Sequence, residues 1–288
     1  MPVTPATMTT TDTAAAWLPA EYANLIVQPL EAESVAIQAA GSMRASAASN
    51  SIRVPVIAED PSASFVAEGS EIPVSQARLG EVADTFHKLA GLTVISHELV
   101  ADSDPAVADQ VLKGLGRDMA KKLDAAFFST RGEDTIAPKG LGDVAGVNTI
   151  AAGKAFTNAD PFTAAIYAAE GEGATLSAFV ANPADALAIA TAKESANSQR
   201  PLLGADPTLP TRRLVQGVPL LTSPAVTKGT VWGIPGGGRI TIAVREDVEL
   251  EKSDQIFFTS DRIAVRGRMR VAFLYPHEKA VQKITLSA

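Results

Sequence analysis

The stretch Asp104–Arg131, DPAVADQVLKGLGRDMAKKLDAAFFSTR, constrains this chain more than any other, because it reads as a single helix roughly 40 Å long at 1.5 Å per residue. Asp104 stands as an N-cap, with Pro105 at the first helical position, where a missing N–H costs nothing. Val107, Val111, Leu112, Leu115, Met119, Leu123, Ala126 and Phe127 fall on one apolar stripe at helical spacing. The opposite face carries Gln110, Lys113, Arg117, Lys121 and Asp124, and Gly132 supplies the stop. A helix longer than a small domain is wide has to span something. Gly114 and Gly116 each cost about 1 kcal/mol against alanine, so the pattern predicts close backbone packing or a bend there. Asp118 and Lys122, four apart at the edge of the stripe, are placed to pair with each other or with another chain.

The 288 residues are enough for a sizeable core in one or two domains. A net charge of −7 argues against a general nucleic-acid coat. Cysteine is absent, which removes disulfides, thiolate metal sites and a cysteine nucleophile. The N-terminus lacks the basic and apolar regions of a signal peptide, and no apolar run approaches the ~20 residues of a membrane span. These features predict a chain that is soluble and intracellular at synthesis, with no membrane partner.

Residues 1–16 are rich in Thr, Ala and Pro and read as an extended or disordered arm. A short helical pattern follows between Glu21 and Ala40, interrupted at Pro29. From 51 to 96 the sequence turns β-like: Ile52, Val54 and Val56 alternate, Glu59-Asp60-Pro61-Ser62 makes a turn, and strand patterns run over Leu79–Phe86 and Lys88–Ser96. Few large apolar side chains occupy its middle. It cannot build its own core, so it reads as an extended arm lying on something else. After the long helix, Asp160-Pro161 starts a helix to about Gly171, Leu176–Ala181 is a strand, and Asn182-Pro183 caps another helix. A polar, Pro-rich loop covers 196–212, and short strands follow near Leu214, Val218–Leu221, Val231–Ile234 and Arg239–Val244. Near the end, Arg262, Arg266, Arg268 and Arg270 alternate with Ile263, Val265, Met269, Val271 and Phe273, the pattern of a long half-buried strand.

Motifs of catalysis are weak. His87, His97 and His277 are scattered, and neither His97-Glu98 nor His277-Glu278 completes H-E-x-x-H. No G-x-S-x-G elbow occurs. Gly236-Gly237-Gly238 precedes a strand pattern instead of a helix, so it reads as a hairpin turn and not a phosphate loop. The acidic run Glu246–Glu251 alternates with Val248 and Leu250 and reads as a solvated strand face before a metal site. The Arg face at 262–270 has three readings: a solvated or ion-paired strand face, contact with another subunit, or nucleic acid. Neither a catalytic residue nor a cofactor or metal site is assigned, and the chain is expected not to be an enzyme.

The order of these parts resembles the major capsid proteins of tailed bacteriophages, the Hong Kong ninety-seven type of fold, from about Ala20 to Leu286. The resemblance is carried by Phe65-Val66-Ala67-Glu68-Gly69 with Ile72-Pro73, Lys88-Leu89-Ala90, and Ile95-Ser96-His97-Glu98-Leu99 before the helix. It continues with Pro138-Lys139-Gly140-Leu141, Asn182-Pro183, Leu214-Val215-Gln216-Gly217-Val218-Pro219, and Arg270-Val271-Ala272-Phe273 with Pro276 and Ala280-Val281. It implies an α+β fold with an N-terminal arm (1–30), an extended β-hairpin or E-loop (51–92), a peripheral domain with the spine helix (31–50, 93–150 and 240–275; helix 104–131) and an axial α/β domain (151–239 and 276–288).

It also implies a function: hexamers and pentamers of this chain closing into an icosahedral shell around phage double-stranded DNA, held without sequence-specific binding, in a virion assembled in the host cytoplasm. Portal and decoration proteins are implied partners. Because only about 20 residues precede the first helical pattern, the scaffolding protein is expected to be separate. Covalent crosslinking as in some relatives needs an E-loop Lys and a catalytic Glu, but 45–87 contains no Lys and 255–277 no Glu. An encapsulin-type nanocompartment shell is the alternative within the fold, and an α/β enzyme with an unrecognised site the alternative outside it. In the family the E-loop lies over a neighbour, so Glu68 or Glu71 is expected to pair with Arg117 or Lys121 of the next subunit, in the row Lys113, Arg117 and Lys121. Arg266, Arg268 and Arg270 are further candidates for inter-subunit contact.

Overall fold

The computed structural model describes residues 34–45, 50–59, 61–69, 71, 73–96, 106–130, 136–193, 213–245, 249–257 and 260–287. The arm at 1–30, the Asp104-Pro105 cap, the Gly132 stop, the loop at 196–212 and His97 lie outside them, as does the acidic run before Glu249. In chain order the helices are α1 (Val35–Ala40), α2 (Ala106–Phe127), α3 (Asp160–Gly171) and α4 (Pro183–Thr191). The strands of the first half are β1 (Ser42–Ala45), β2 (Ser51–Glu59), β3 (Arg78–Thr85), β4 (His87–Ser96) and β5 (Asn148–Ala151). Those of the second are β6 (Leu176–Ala181), β7 (Leu214–Val215), β8 (Val218–Thr222), β9 (Thr230–Pro235), β10 (Thr241–Arg245), β11 (Glu249–Phe257), β12 (Arg262–Leu274) and β13 (Gln282–Thr285). The chain divides into two compact units, one drawn from Leu89–Ala120 and Asp247–Met269, the other from Ser34–Lys88, Lys121–Glu246 and Arg270–Ala288.

The larger unit holds a six-stranded sheet in the order β5-β13-β9-β6-β8-β7. Its two parallel pairs, β5 with β13 and β6 with β8, are mixed with antiparallel ones. Phe162 of α3 and Phe179 of β6 meet edge to face at 5.2 Å, with Phe156, Ile189, Val215, Leu220, Val231 and Ile284 around them. The caps follow the sequence. Asn182 accepts the Ala184 N–H at 3.1 Å and donates to the Val226 carbonyl at 2.8 Å, so one side chain both starts α4 and ties it to the loop after β8. Asp185, the third residue of α4, accepts the Gly229 N–H at 2.7 Å.

Gly236–Gly238 is not a hairpin turn. β9 pairs with β6 and β13, whereas β10 pairs with β1 and β12, so the glycines pass the chain from one sheet to another. Gly237 and Gly238 both take left-handed φ, 71° and 75°, which two successive residues with side chains rarely adopt. A spacing rule cannot tell a hairpin from a sheet change when both begin with a tight turn.

α2 ends earlier than the pattern predicts, at Phe127, and its 22 described residues measure roughly 33 Å. The stop is built by tertiary contact. Gly140 sits against the carbonyls of Ala126 and Ser129 where no side chain fits, and Gly142 donates its N–H to Ser129 O at 3.1 Å. The predicted close packing at Gly114 is not there: a Cβ at Gly114 would meet nothing within 4 Å. It lies instead at Gly91 of β4, where a Cβ would run into Leu115. Asp124 is also misplaced by the sequence reading. It is 6% exposed, not on the polar face, and it caps α1: its carboxylate accepts Ser34 Oγ at 2.6 Å and the Val35 and Ala36 N–H groups, each at 3.1 Å. Its position, four after Ala120 and three before Phe127, was the helical-spacing signal for burial.

β12 alternates as expected only from Arg266 to Arg270; before that, Ile263 and Ala264 are both buried and Val265 is half-buried. From Val271 to Tyr275 every residue is buried, because that half is covered on both faces. Phe273 packs edge to face on Phe127 at 5.1 Å, while Ala272 and Leu274 join Ala45, Ala243, Phe86 and the hairpin residues Ile52, Val54 and Val82.

Candidate assembly interface

The hairpin of β2 and β3 is antiparallel, from Ser51 opposite Thr85 to Glu59 opposite Arg78, with a register shift beyond Ile57. Its base belongs to the core just described. Its outer half does not. Ile57 and Leu79 are exposed, 59% and 77%, and in the connection between the strands Phe65 is fully exposed and Val74 91% exposed. Ser75 Oγ donates to Ser62 O at 2.9 Å, which ties the two limbs of that connection together. An isolated two-stranded ribbon is marginal in water, and large apolar side chains gathered on one projection mark a surface that something else covers. Arg53 and Glu81 pair across the ribbon at 3.2 Å, both exposed, a contact of about 0–1 kcal/mol.

Glu68 and Glu71 stand exposed in the same connection, Glu68 in a turn closed by Gly69 at φ 82°. Lys113, Arg117 and Lys121 are exposed on α2 at i, i+4 spacing, and no ion pair joins them to a described residue. Asp118 and Lys122 are exposed beside them. The acidic groups singled out from sequence thus belong to the hairpin connection, and the basic ones to α2.

The Arg face has a partner strand that the sequence reading did not connect to it. The register of β11 with β12 sets Glu249 opposite Arg268 and Glu251 opposite Arg266. Glu249 and Glu251 of the acidic run thus stand in one ladder with the arginines; Arg266 is exposed, and Arg268 and Arg270 are half-buried.

Two ionisable groups carry perturbed equilibria. Burial pushes the Asp124 carboxyl up, and the hydrogen bonds from Ser34, Ala36, Val35 and Ser223 pull against it without cancelling it. Burial also pushes the Tyr275 phenol well above its ordinary value, helped by the negative charges of Asp84 and Asp143, while its hydroxyl donates to Lys139 O at 2.8 Å. Both are held inside the fold. Among the described residues no three His, Asp or Glu side chains gather as a metal site, and no described helix is long and apolar enough to cross a membrane.

A family model described as the phage capsid family matches residues 14–286. No curated protein sequence matches the chain. Solved structures share the fold at low identity. The capsid of an empty GTA particle is 19% identical, with 86% of this chain and 88% of that one covered at a TM-score of 0.69. A chain of Microbacterium phage Oxtober96 is 18% identical over 88% of this chain and 91% of its own, TM-score 0.69. One of Mycobacterium phage Bobi is 19% identical with the same coverage and a TM-score of 0.66.

Proposed function

The chain belongs to the phage capsid family, and from that membership we propose how its parts make a shell. It is a major capsid protein, a structural component of the virion whose copies self-assemble into an icosahedral shell. We propose the Hong Kong ninety-seven arrangement: N-terminal arm 1–30, E-loop 51–92, peripheral domain 31–50, 93–150 and 240–275, axial domain 151–239 and 276–288. Hexamers and pentamers would enclose phage DNA without reading its sequence, with a separate scaffolding protein, a portal and in some cases a decoration protein, and with assembly in the host cytoplasm. The observation that carries this reading is the hairpin, whose outer half exposes Phe65, Val74 and Leu79, with none of the described residues covering them. A neighbouring copy supplies the cover. Expressed protein, with scaffold where required, should appear in micrographs as rings or closed shells; a monomer under every condition overturns the proposal.

The charged residues give the contact a direction. Glu68 and Glu71 on the hairpin meet Arg117 and Lys121, with Lys113 in the same row, on the next copy. One exposed pair contributes about 0–1 kcal/mol, but repetition around a closed shell makes assembly salt-sensitive. Glu68→Lys with Glu71→Lys should impair assembly, and adding Arg117→Glu with Lys121→Glu should partly restore it; strict additivity of the two changes removes the pairing. Arg266, Arg268 and Arg270 form the second proposed contact, in addition to the intrachain ladder opposite Arg266 and Arg268. The shell is held non-covalently in this reading, so boiled particles should run as one band at the mass of the chain, and a ladder of larger bands would count against it.

A further inference from the structure

An arm that must reach the same place on every neighbour needs a fixed direction, and a two-stranded ribbon has little stiffness of its own. The direction has to be set at its base. Part of the base is apolar: Ile52, Val54, Val82 and Phe86 on Ala45, Ala243, Ala272 and Leu274. Apolar contact is non-directional, and it allows sliding and tilting that a hydrogen bond does not. Beyond it the ribbon weakens, since Pro55 opposite Glu81 lacks an N–H and Gly80 opposite Val56 lacks a side chain.

Besides the pairing with β12 of β4, which follows β3 along the chain, a directional side-chain bond joins the base to the sheet. Ile242 of β10 donates its N–H to Gly41 O at 3.2 Å, on the side away from β12. In an antiparallel ladder its opposite residue, Phe273, therefore turns its own N–H away from β10. Asp84 of β3 accepts that N–H through Oδ2 at 3.0 Å. Its other oxygen, Oδ1, accepts the Thr85 N–H at 2.8 Å, so the carboxylate is fixed at both ends. We infer that Asp84 is the positioning residue of the arm: its carboxylate takes the place of a strand partner on β12 and sets the angle at which the hairpin leaves the sheet. β2 has 9 residues. That makes the arm roughly 30 Å long, so a tilt of about 10° at Asp84 moves the tip by about 5 Å, more than the length of the contacts proposed there.

The inference rests on the hairpin being an inter-subunit arm only for its effect on shells; the arm's direction is measurable without them. Because the chain has no cysteine, spin labels at Ser64→Cys near the tip and Ala164→Cys on α3 report that direction in unassembled protein by pulsed electron resonance. The otherwise unchanged chain and Asp84→Asn, which keeps an acceptor oxygen, should both give one narrow distance distribution. Asp84→Ala should broaden it at least twofold, and Asp84→Glu, with its acceptor one methylene further out, should shift its mean. An Asp84→Ala distribution as narrow as that of Asp84 protein overturns the inference; if that variant does not fold, an unshifted, unbroadened Asp84→Glu does so. Micrographs of the same variants then read the assembly role. Normal shells from a chain whose arm has lost its direction refute the arm's part in assembly and leave the positioning by Asp84 standing.

Discussion

In the six-stranded sheet, Phe162, Phe179, Val231 and Ile284 are completely buried, and the helices that cover them come from the same 140 residues of chain. In the β2–β3 hairpin, strands of similar composition bury their side chains only at the base and leave Ile57, Leu79, Phe65 and Val74 to solvent. The first region is finished by folding. The second is left unfinished by its own fold; on the proposal above a neighbouring copy finishes it, and the free energy that folding left unused there is available for assembly. One chain therefore separates the work of being stable from the work of associating.

That separation can be broken at either end. The largest effect is expected from Phe179→Ala, which leaves a cavity beside Phe162 and should cost about 3–5 kcal/mol in urea unfolding of the unassembled chain. Next comes Asp124→Ala, which orphans Ser34 Oγ and two backbone N–H groups at the start of α1 and should cost about 2–3 kcal/mol. The same carboxyl makes a test in pH. Its folded pKa lies above its ordinary 3.8, so its neutral form suits the fold better, and its contribution to stability is lost as pH rises through the folded value. The stability of the Asp124 chain relative to Asp124→Asn should accordingly grow as pH falls toward 3.8; a difference that shrinks or stays level denies the raised pKa. Gly114→Ala fills open space on α2 and should stabilise the unassembled chain by up to about 1 kcal/mol, seen as a higher urea midpoint. The smallest effect on folding belongs to Phe65→Ala, within about 0.5 kcal/mol, because the ring is fully exposed. Yet it should cut the yield of shells, and a variant that lowers stability and assembly together would erase the distinction between the two regions.

Much of this was legible in the sequence where the signal is local. α3 and β6 run over the residues that Asp160-Pro161 and the flanking turns mark out, and the cap of α4 lies at Asn182-Pro183 as its side chains require. The lack of a core in the outer half of the hairpin also showed, since it needs only a count of large apolar residues, but its base and β4 do not share it. What failed depends on partners far along the chain. β4 looked like part of the arm and pairs with β12; the glycines at 236–238 looked like a hairpin and change sheets. Asp124 looked like solvent-facing charge because its acceptor role exists only once Ser34, 90 residues earlier, is beside it. Of the candidate interface, the charges were visible, but not that the arginines of β12 face glutamates of β11, which is a matter of register.

The clasp on α1 also imposes an order in time. Ser34 and its acceptor are 90 residues apart, and Ser177, which donates to Ala39 O at 2.7 Å, lies 138 residues beyond that carbonyl. A ribosome adding about 5–20 residues per second needs roughly 5–20 s to deliver Asp124 after Ser34, and longer to deliver Ser177. Through that interval the six-residue α1, far too short to hold as a helix alone, has no cap and no floor. α1 is thus fastened late in the chain's own synthesis, after α2 has been made.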